Sequence, residues 1–121
     1  MKIMIVDDSK TMRSIERSIM LRLGHTEIEE AVDGIDALSK VASFLPDLIL
    51  LDWNMPNMDG ITFLKKYRET NKTTPVIMVT TESEKSRVIE AIKAGVNNYA
   101  VKPFTPEGIM KIIASTMEKA A

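Results

Sequence analysis

The sequence predicts an α/β protein, a doubly wound parallel sheet with helices on both faces, and three observations carry that prediction. Five short apolar segments alternate with five segments whose apolar residues recur at helical spacing. The strongest apolar runs are unbroken by polar residues, as strands buried on both faces require. Polar groups of chemical interest follow every strand except the second, so one rim of the sheet is polar, at the strand ends where open α/β sheets bind their ligands.

Residues 2–6 form a first apolar strand that runs into Asp7 and Asp8. From Ser9 the spacing changes: Met12, Ile15, Ile19 and Leu23 fall on one helical stripe, which Gly24 can close in the left-handed conformation. Residues 26–31 make a weaker strand near an edge, since Ile28 is its one large apolar residue. Asp33 then reads as the cap of a helix carrying Leu38, Val41, Ala42 and Leu45, stopped by Pro46. The third strand is the apolar run Leu48 to Leu51, ending in Asp52. Asn54, Pro56, Asn57, Asp59 and Gly60 follow as loop residues, so a rigid strand holds the carboxylate from below and a loop covers it.

Residues 60–69 place Ile61, Leu64 and Tyr67 at helical spacing, and residues 75–80, PVIMVT, read as the fourth strand with Thr80 and Thr81 at its end. Ser83 is the expected cap of a helix carrying Val88, Ala91 and Ile92 to a stop at Gly95. The fifth strand, residues 98–101, leads into Lys102, Pro103 and Phe104. Thr105 as cap, Pro106 at the first helical position and Glu107 in the first turn start a last helix with Ile109, Ile112, Ile113 and Met117 inward. Right-handed crossovers between parallel strands distribute these helices over both faces, and the first, third and fourth strands should be central.

At 121 residues, 45% of them hydrophobic, the chain makes a single domain spanning residues 1–121. A formal charge of −1, without a basic run, gives no general attraction to nucleic acid or to an anionic membrane. No cysteine is present, so disulfides and thiolate metal sites are excluded. No apolar run approaches membrane-spanning length, and the expected setting is the cytoplasm. The nine methionines fall at core-like positions and read as flexible filler.

The rim has a definite chemistry. Asp7, Asp8 and Asp52 gathered in a partly desolvated site repel one another, so either one stays protonated or a cation joins them. Oxygen donors without histidine or cysteine favour a hard ion such as Mg²⁺, often completed by a phosphate. Thr80 and Lys102 could bind the remaining phosphate oxygens, an arrangement suited to phosphoryl transfer onto a carboxylate.

The motifs VDDSKTMR, LDWNMPNMDG, VTTE and YAVKPF, in this order and spacing, resemble the receiver domain of two-component response regulators over essentially the whole chain. In detail they are most similar to the chemotaxis members. The resemblance implies a flavodoxin-like sheet with strand order 2-1-3-4-5 and five helices. It implies that Asp52 accepts a phosphoryl group from a histidine kinase, and that Asp7 and Asp8 hold Mg²⁺ with Asp52 and the backbone carbonyl of Asn54. Thr80 and Lys102 match the hydroxyl and ammonium that contact the phosphoryl group, and Tyr99 matches the aromatic switch residue. A cis bond before Pro103 and positions Asn54 and Glu82 that tune loss of the phosphoryl group are implied as well. Thr81 departs from the family, in which a smaller alanine is common.

Beside these readings, Trp53 fits ordinary packing and His25 a turn without a role. The implied function is a monomeric, phosphorylation-activated switch whose output is binding to a target such as a flagellar motor switch protein, with a phosphatase as a further partner. A phosphorelay intermediate, or a receiver cut from a longer regulator, are the alternatives. A hydrolase of the dehalogenase type ranks lower, because it needs an acid two residues after the nucleophile and Asn54 stands there. A flavin-binding flavodoxin ranks low too, since no phosphate loop follows the first strand.

Overall fold

A computed structural model describes residues 1–120 and has the alternating order expected. The strands are β1 (Lys2–Val6), β2 (Glu27–Ala31), β3 (Leu48–Leu51), β4 (Val76–Thr80) and β5 (Asn98–Val101). The helices are α1 (Lys10–Arg22), α2 (Gly34–Phe44), α3 (Gly60–Thr70), α4 (Lys85–Ala94) and α5 (Pro106–Ala120). All strand pairs are parallel, in the order β2-β1-β3-β4-β5, so the three longest apolar runs are central and Ile28 lies on an edge. The fold is flavodoxin-like, as the motifs implied.

Alternate residues of each strand point to opposite faces and build two cores. Met4, Val6, Ile49, Leu51, Val76 and Met78 meet α2, α3 and α4 on one face. Ile3, Ile5, Leu48, Leu50, Ile77 and Val79 meet α1 and α5 on the other. Every residue of β3 is fully buried, which explains the unalternated run. Trp53 packs in the first core, as ordinary packing predicts.

Helix starts follow their caps where a short side chain is available. Asp33 accepts from Asp36 N–H and Asp59 from Thr62 N–H, while Thr105 Oγ1 accepts from Gly108 N–H. Asp33 also accepts from Asn57, and these bonds hold its carboxyl below the usual carboxylate range, the Asp36 N–H first.

Several expectations need correction. Ile15 and Leu23 are exposed, and α1 turns Glu16, Ile19 and Met20 inward instead. The stripe is rotated because Met20 meets the second core while Ile15 borders a surface pocket. Leu45 sits past the end of α2 in a left-handed conformation and is exposed, as is Ala42, leaving Ala37 and Val41 inward. Ser83 does not cap α4: the cap position falls to Glu84, which makes no side-chain cap bond. Ile92 is exposed, and Ala91 alone is buried in that helix.

Candidate functional site

The site lies at the carboxyl ends of β1, β3, β4 and β5. β1 and β3 are adjacent, and the Asp52 N–H donates to the Val6 carbonyl at 2.9 Å, which sets Asp52 beside Asp7. Carboxylate oxygens of Asp7, Asp8 and Asp52 all lie within 4.8 Å of one another. Asp7 and Asp52 are buried and Asp8 is exposed, so the cluster opens to solvent on one side. Lys102 reaches the same point from the end of β5, where its N–H donates to the Thr80 carbonyl at 2.8 Å. Its ammonium donates to Asp7 Oδ2 at 2.7 Å and lies 3.4 Å from Asp52 Oδ2. The Lys102–Pro103 bond is cis, as the resemblance implied.

Backbone donors fix the two buried acids. Ser9 N–H donates to Asp7 Oδ1 at 2.8 Å, and Trp53 N–H to Asp52 Oδ1 at 2.8 Å. The loop after Asp52 then folds back on itself: Gly60 N–H donates to the Trp53 carbonyl at 2.8 Å. A side chain at Gly60 would collide with the Asp52 carbonyl oxygen, so only glycine lets α3 start this close to the acid.

Burial raises the Asp52 carboxyl above its ordinary value, and the charge of Asp7 adds to the rise; Lys102, the Thr80 hydroxyl and the Trp53 N–H oppose it. Burial by itself would depress the Lys102 ammonium, but the hydrogen bond to Asp7 and the charges of Asp52, Asp7 and Glu16 outweigh that cost and raise it. Lys102 is therefore a firm cation in a cluster with excess negative charge. An all-oxygen donor set of this kind could bind a hard divalent ion.

Thr80 is fully buried at the end of β4. The loop beyond it is held by two side chains: the Tyr99 hydroxyl donates to the Glu82 carbonyl at 2.6 Å, and the Asn54 amide to the Glu82 carboxylate at 3.1 Å. Tyr99, which matches the aromatic switch residue, thus already touches this loop. Arg87, in the first turn of α4, stacks over the Trp53 ring at 5.2 Å. His25 lies in the turn after α1, away from the acids.

One residue near the site escaped the sequence reading. Glu16 is 2% exposed, and its Oε2 is the buried side-chain polar atom left without a partner among the described residues. Burial, reinforced by the charge of Asp7, raises its carboxyl to about 8. The signal was in the sequence: Met12, Glu16, Ile19 and Met20 also repeat at helical spacing, with an acid in the stripe.

Comparison with known proteins identifies the class. The response regulator receiver domain model matches residues 3–114, and the chain belongs to that family. Within it the chain is of the chemotaxis type. It is 49% identical to the chemotaxis protein CheY1 of Helicobacter pylori over 110 residues, 88% of this chain and 89% of that protein. It is likewise 49% identical to the chemotaxis protein CheY homolog of Campylobacter jejuni, over 88% of this chain and 85% of that one. The fold is similar to CheY in the CheX–CheY–BeF3–Mg complex from Borrelia burgdorferi, with a TM-score of 0.93 at 30% identity over 96% of this chain and 88% of that chain. Vibrio cholerae CheY4 gives 0.89 at 36% identity, over 95% and 97%. The protein is a phospho-receiving signalling switch in its general class.

Proposed function

We propose that this chain is a single receiver domain over residues 1–121, working in the cytoplasm as a monomer, and that Asp52 accepts a phosphoryl group from the phosphohistidine of a histidine kinase. The observation that carries the proposal is the convergence of Asp7, Asp8 and Asp52 beside the Lys102 ammonium at the ends of β1, β3 and β5. A carboxylate oxygen of Asp52 attacks phosphorus, the bond from phosphorus to the histidine nitrogen breaks, and the imidazole leaves. Trp53 N–H orients the Asp52 carboxylate through Oδ1, while Oδ2 faces Lys102. Asp7, Asp8, Asp52 and the Asn54 carbonyl are the groups to hold Mg²⁺, which when bound neutralises charge on the phosphoryl oxygens. The hard oxygen donors fit that ion, and the Borrelia CheY complex contains Mg with BeF3.

Output is a change in binding. The phosphoryl oxygens are new acceptors for the Thr80 hydroxyl and the Lys102 ammonium. Movement of Thr80 acts on the loop at Glu82, which Tyr99 grips, and so on the face made by α4, β5 and α5 with Lys85, Tyr99 and Lys102 nearby. A target such as a flagellar motor switch protein that prefers the shifted face raises the population of that state by its differential affinity. A phosphatase acting on Asp52 ends the signal.

Incubation with acetyl phosphate and Mg²⁺ should label wild type and leave Asp52→Asn unlabelled; undiminished labelling of the variant overturns the assignment. Trp53 adjoins Asp52, so its fluorescence should change on titration with Mg²⁺, less so in Asp8→Ala. For the output, beryllofluoride should raise target affinity in wild type and much less in Thr80→Ala. Equal enhancement in both would show that Thr80 does not carry the signal.

A further inference from the structure

The groove between α3 and α4 plays no part in the site chemistry, and it has a volume of about 610 Å³. That lies within the range of roughly 300–1,000 Å³ of ordinary ligand clefts. Lys65, Arg68 and Lys72 line it from the α3 side, and Ile89, Lys93 and Ala94 from α4. Glu69 and Glu90 are the acids on its walls, so four basic side chains stand against two acidic ones.

Existing bonds leave three ammonium groups in the groove against the carboxylate of Glu69. Arg68 is committed to structure: its Nε and Nη2 donate to the Gly95 carbonyl at 3.0 and 2.9 Å, and its Nη1 to the Asn71 carbonyl at 3.2 Å. Glu90 already faces Arg87 at 3.5 Å. Lys65 and Lys93 make no ion pair among the described residues, and Lys72 donates to a backbone carbonyl, that of Arg68. Ile89 is 41% exposed on the same surface. An exposed aliphatic group rimmed by ammonium groups without carboxylate partners calls for an occupant that is acidic and amphipathic.

We propose that this groove docks an acidic, amphipathic segment of a partner protein, its carboxylates over Lys65, Lys72 and Lys93 and one apolar side chain against Ile89 and Ala94. The α3 wall is firmly packed, whereas the α4 wall follows the loop whose Glu82 is held by Tyr99 and Asn54. Motion of that loop therefore moves one wall of the groove against the other. Docking stands apart from the phosphorylation chemistry; its coupling to Asp52 rests on the function proposed above and must be reciprocal. The groove lies on the side of α4 that faces α3, so the face shared with β5 and α5 stays open to a second partner.

The test uses the full chain, unphosphorylated and ¹⁵N-labelled, titrated with a short synthetic peptide bearing glutamates on both sides of one leucine. Saturable amide shifts confined to residues 65–72 and 86–94 are expected. Lys65→Glu with Lys93→Glu should weaken binding about tenfold and reduce its salt dependence. Ile89→Ser should weaken it several-fold while leaving the circular dichroism spectrum unchanged. Absence of saturable shifts overturns the proposal, as does equal binding by the charge-reversed protein. Tighter binding of a single-stranded oligonucleotide to the same amides overturns it as well. Acetyl phosphate labelling of Asp52 should proceed at the wild-type rate in the charge-reversed protein. Loss of labelling in the wild type would defeat the phosphorylation reading and leave the docking result standing.

Discussion

Helices α3 and α4 lie on the same face of the same sheet, with 11 and 10 residues, yet they are anchored in opposite ways. α3 buries Gly60, Ile61, Phe63, Leu64 and Tyr67, and Asp59 caps its start. α4 buries Ala91 alone, lacks a side-chain cap, and turns Ile89 and Ile92 to solvent. The difference teaches where a charge change at the strand tips can travel. The helix after Asp52 is pinned by burial and by Gly60 packed on the acid's own carbonyl. The helix after Thr80 is tethered at its two ends rather than along its face: through Tyr99, Asn54 and the stacking of Arg87 on Trp53 at the start, and through the Arg68 guanidinium on the Gly95 carbonyl at the finish. Segments with few buried apolar groups open and shift at low free-energy cost, so α4 is the compliant element.

Core truncation is the severest way to break this contrast. Phe63→Ala should cost about 3–5 kcal/mol in urea unfolding, whereas Ile92→Ala should stay within about 0.5 kcal/mol. Comparable losses would show that α4 is anchored as firmly as α3.

Helix α1 offers a case between the two, because its buried face carries a carboxyl. Native Glu16 holds its proton up to about 8 against an ordinary value of 4.5. A raised value stabilises the fold fully below pH 4.5 and loses that contribution as pH rises toward 8. At about 1.4 kcal/mol per unit the loss is on the order of 4–5 kcal/mol in metal-free protein. Glu16→Gln should flatten this decline, as read from urea midpoints at about pH 5 and pH 8. Identical slopes in the two proteins would mean that Glu16 finds a partner in solution.

The caps sharpen the comparison at a smaller scale. Asp59→Ala should cost about 1 kcal/mol, while Glu84→Ser, which offers α4 the acceptor it lacks, should gain from a few tenths to about 1 kcal/mol. Of similar size but more local is Tyr99→Phe, which deletes the bond to the Glu82 carbonyl, a net effect of about 1 kcal/mol. Amide exchange should quicken about fivefold in residues 85–94 and stay unchanged in α3. Equal acceleration in both helices would place the Tyr99 contact in the general stability of the fold.

The fold was legible because strand burial is written in runs such as Leu48–Leu51, and polar residues mark where those runs end. Sheet order makes neighbours of β1 and β3, so the acids that close those runs had to meet. Helix orientation was less legible. Ile15 and Met20 are equally apolar, and only the tertiary packing decides which of them faces Ile3 and Ile5. Ser83 was the better cap by residue type, but α4 starts two residues later, after Glu84. Glu16 was missed because an acid in an inward stripe reads as a surface residue until its neighbours are known. The Tyr99 contact is with a backbone carbonyl, which leaves no mark in the sequence.

The bond between Lys102 and Asp7 joins positions 95 apart. During synthesis the three aspartates are made long before the ammonium that partly offsets them. A chain arrested after β4 would carry the acids of the cluster with no lysine among them. The cation at the strand tips is thus supplied only once β5 has joined the sheet.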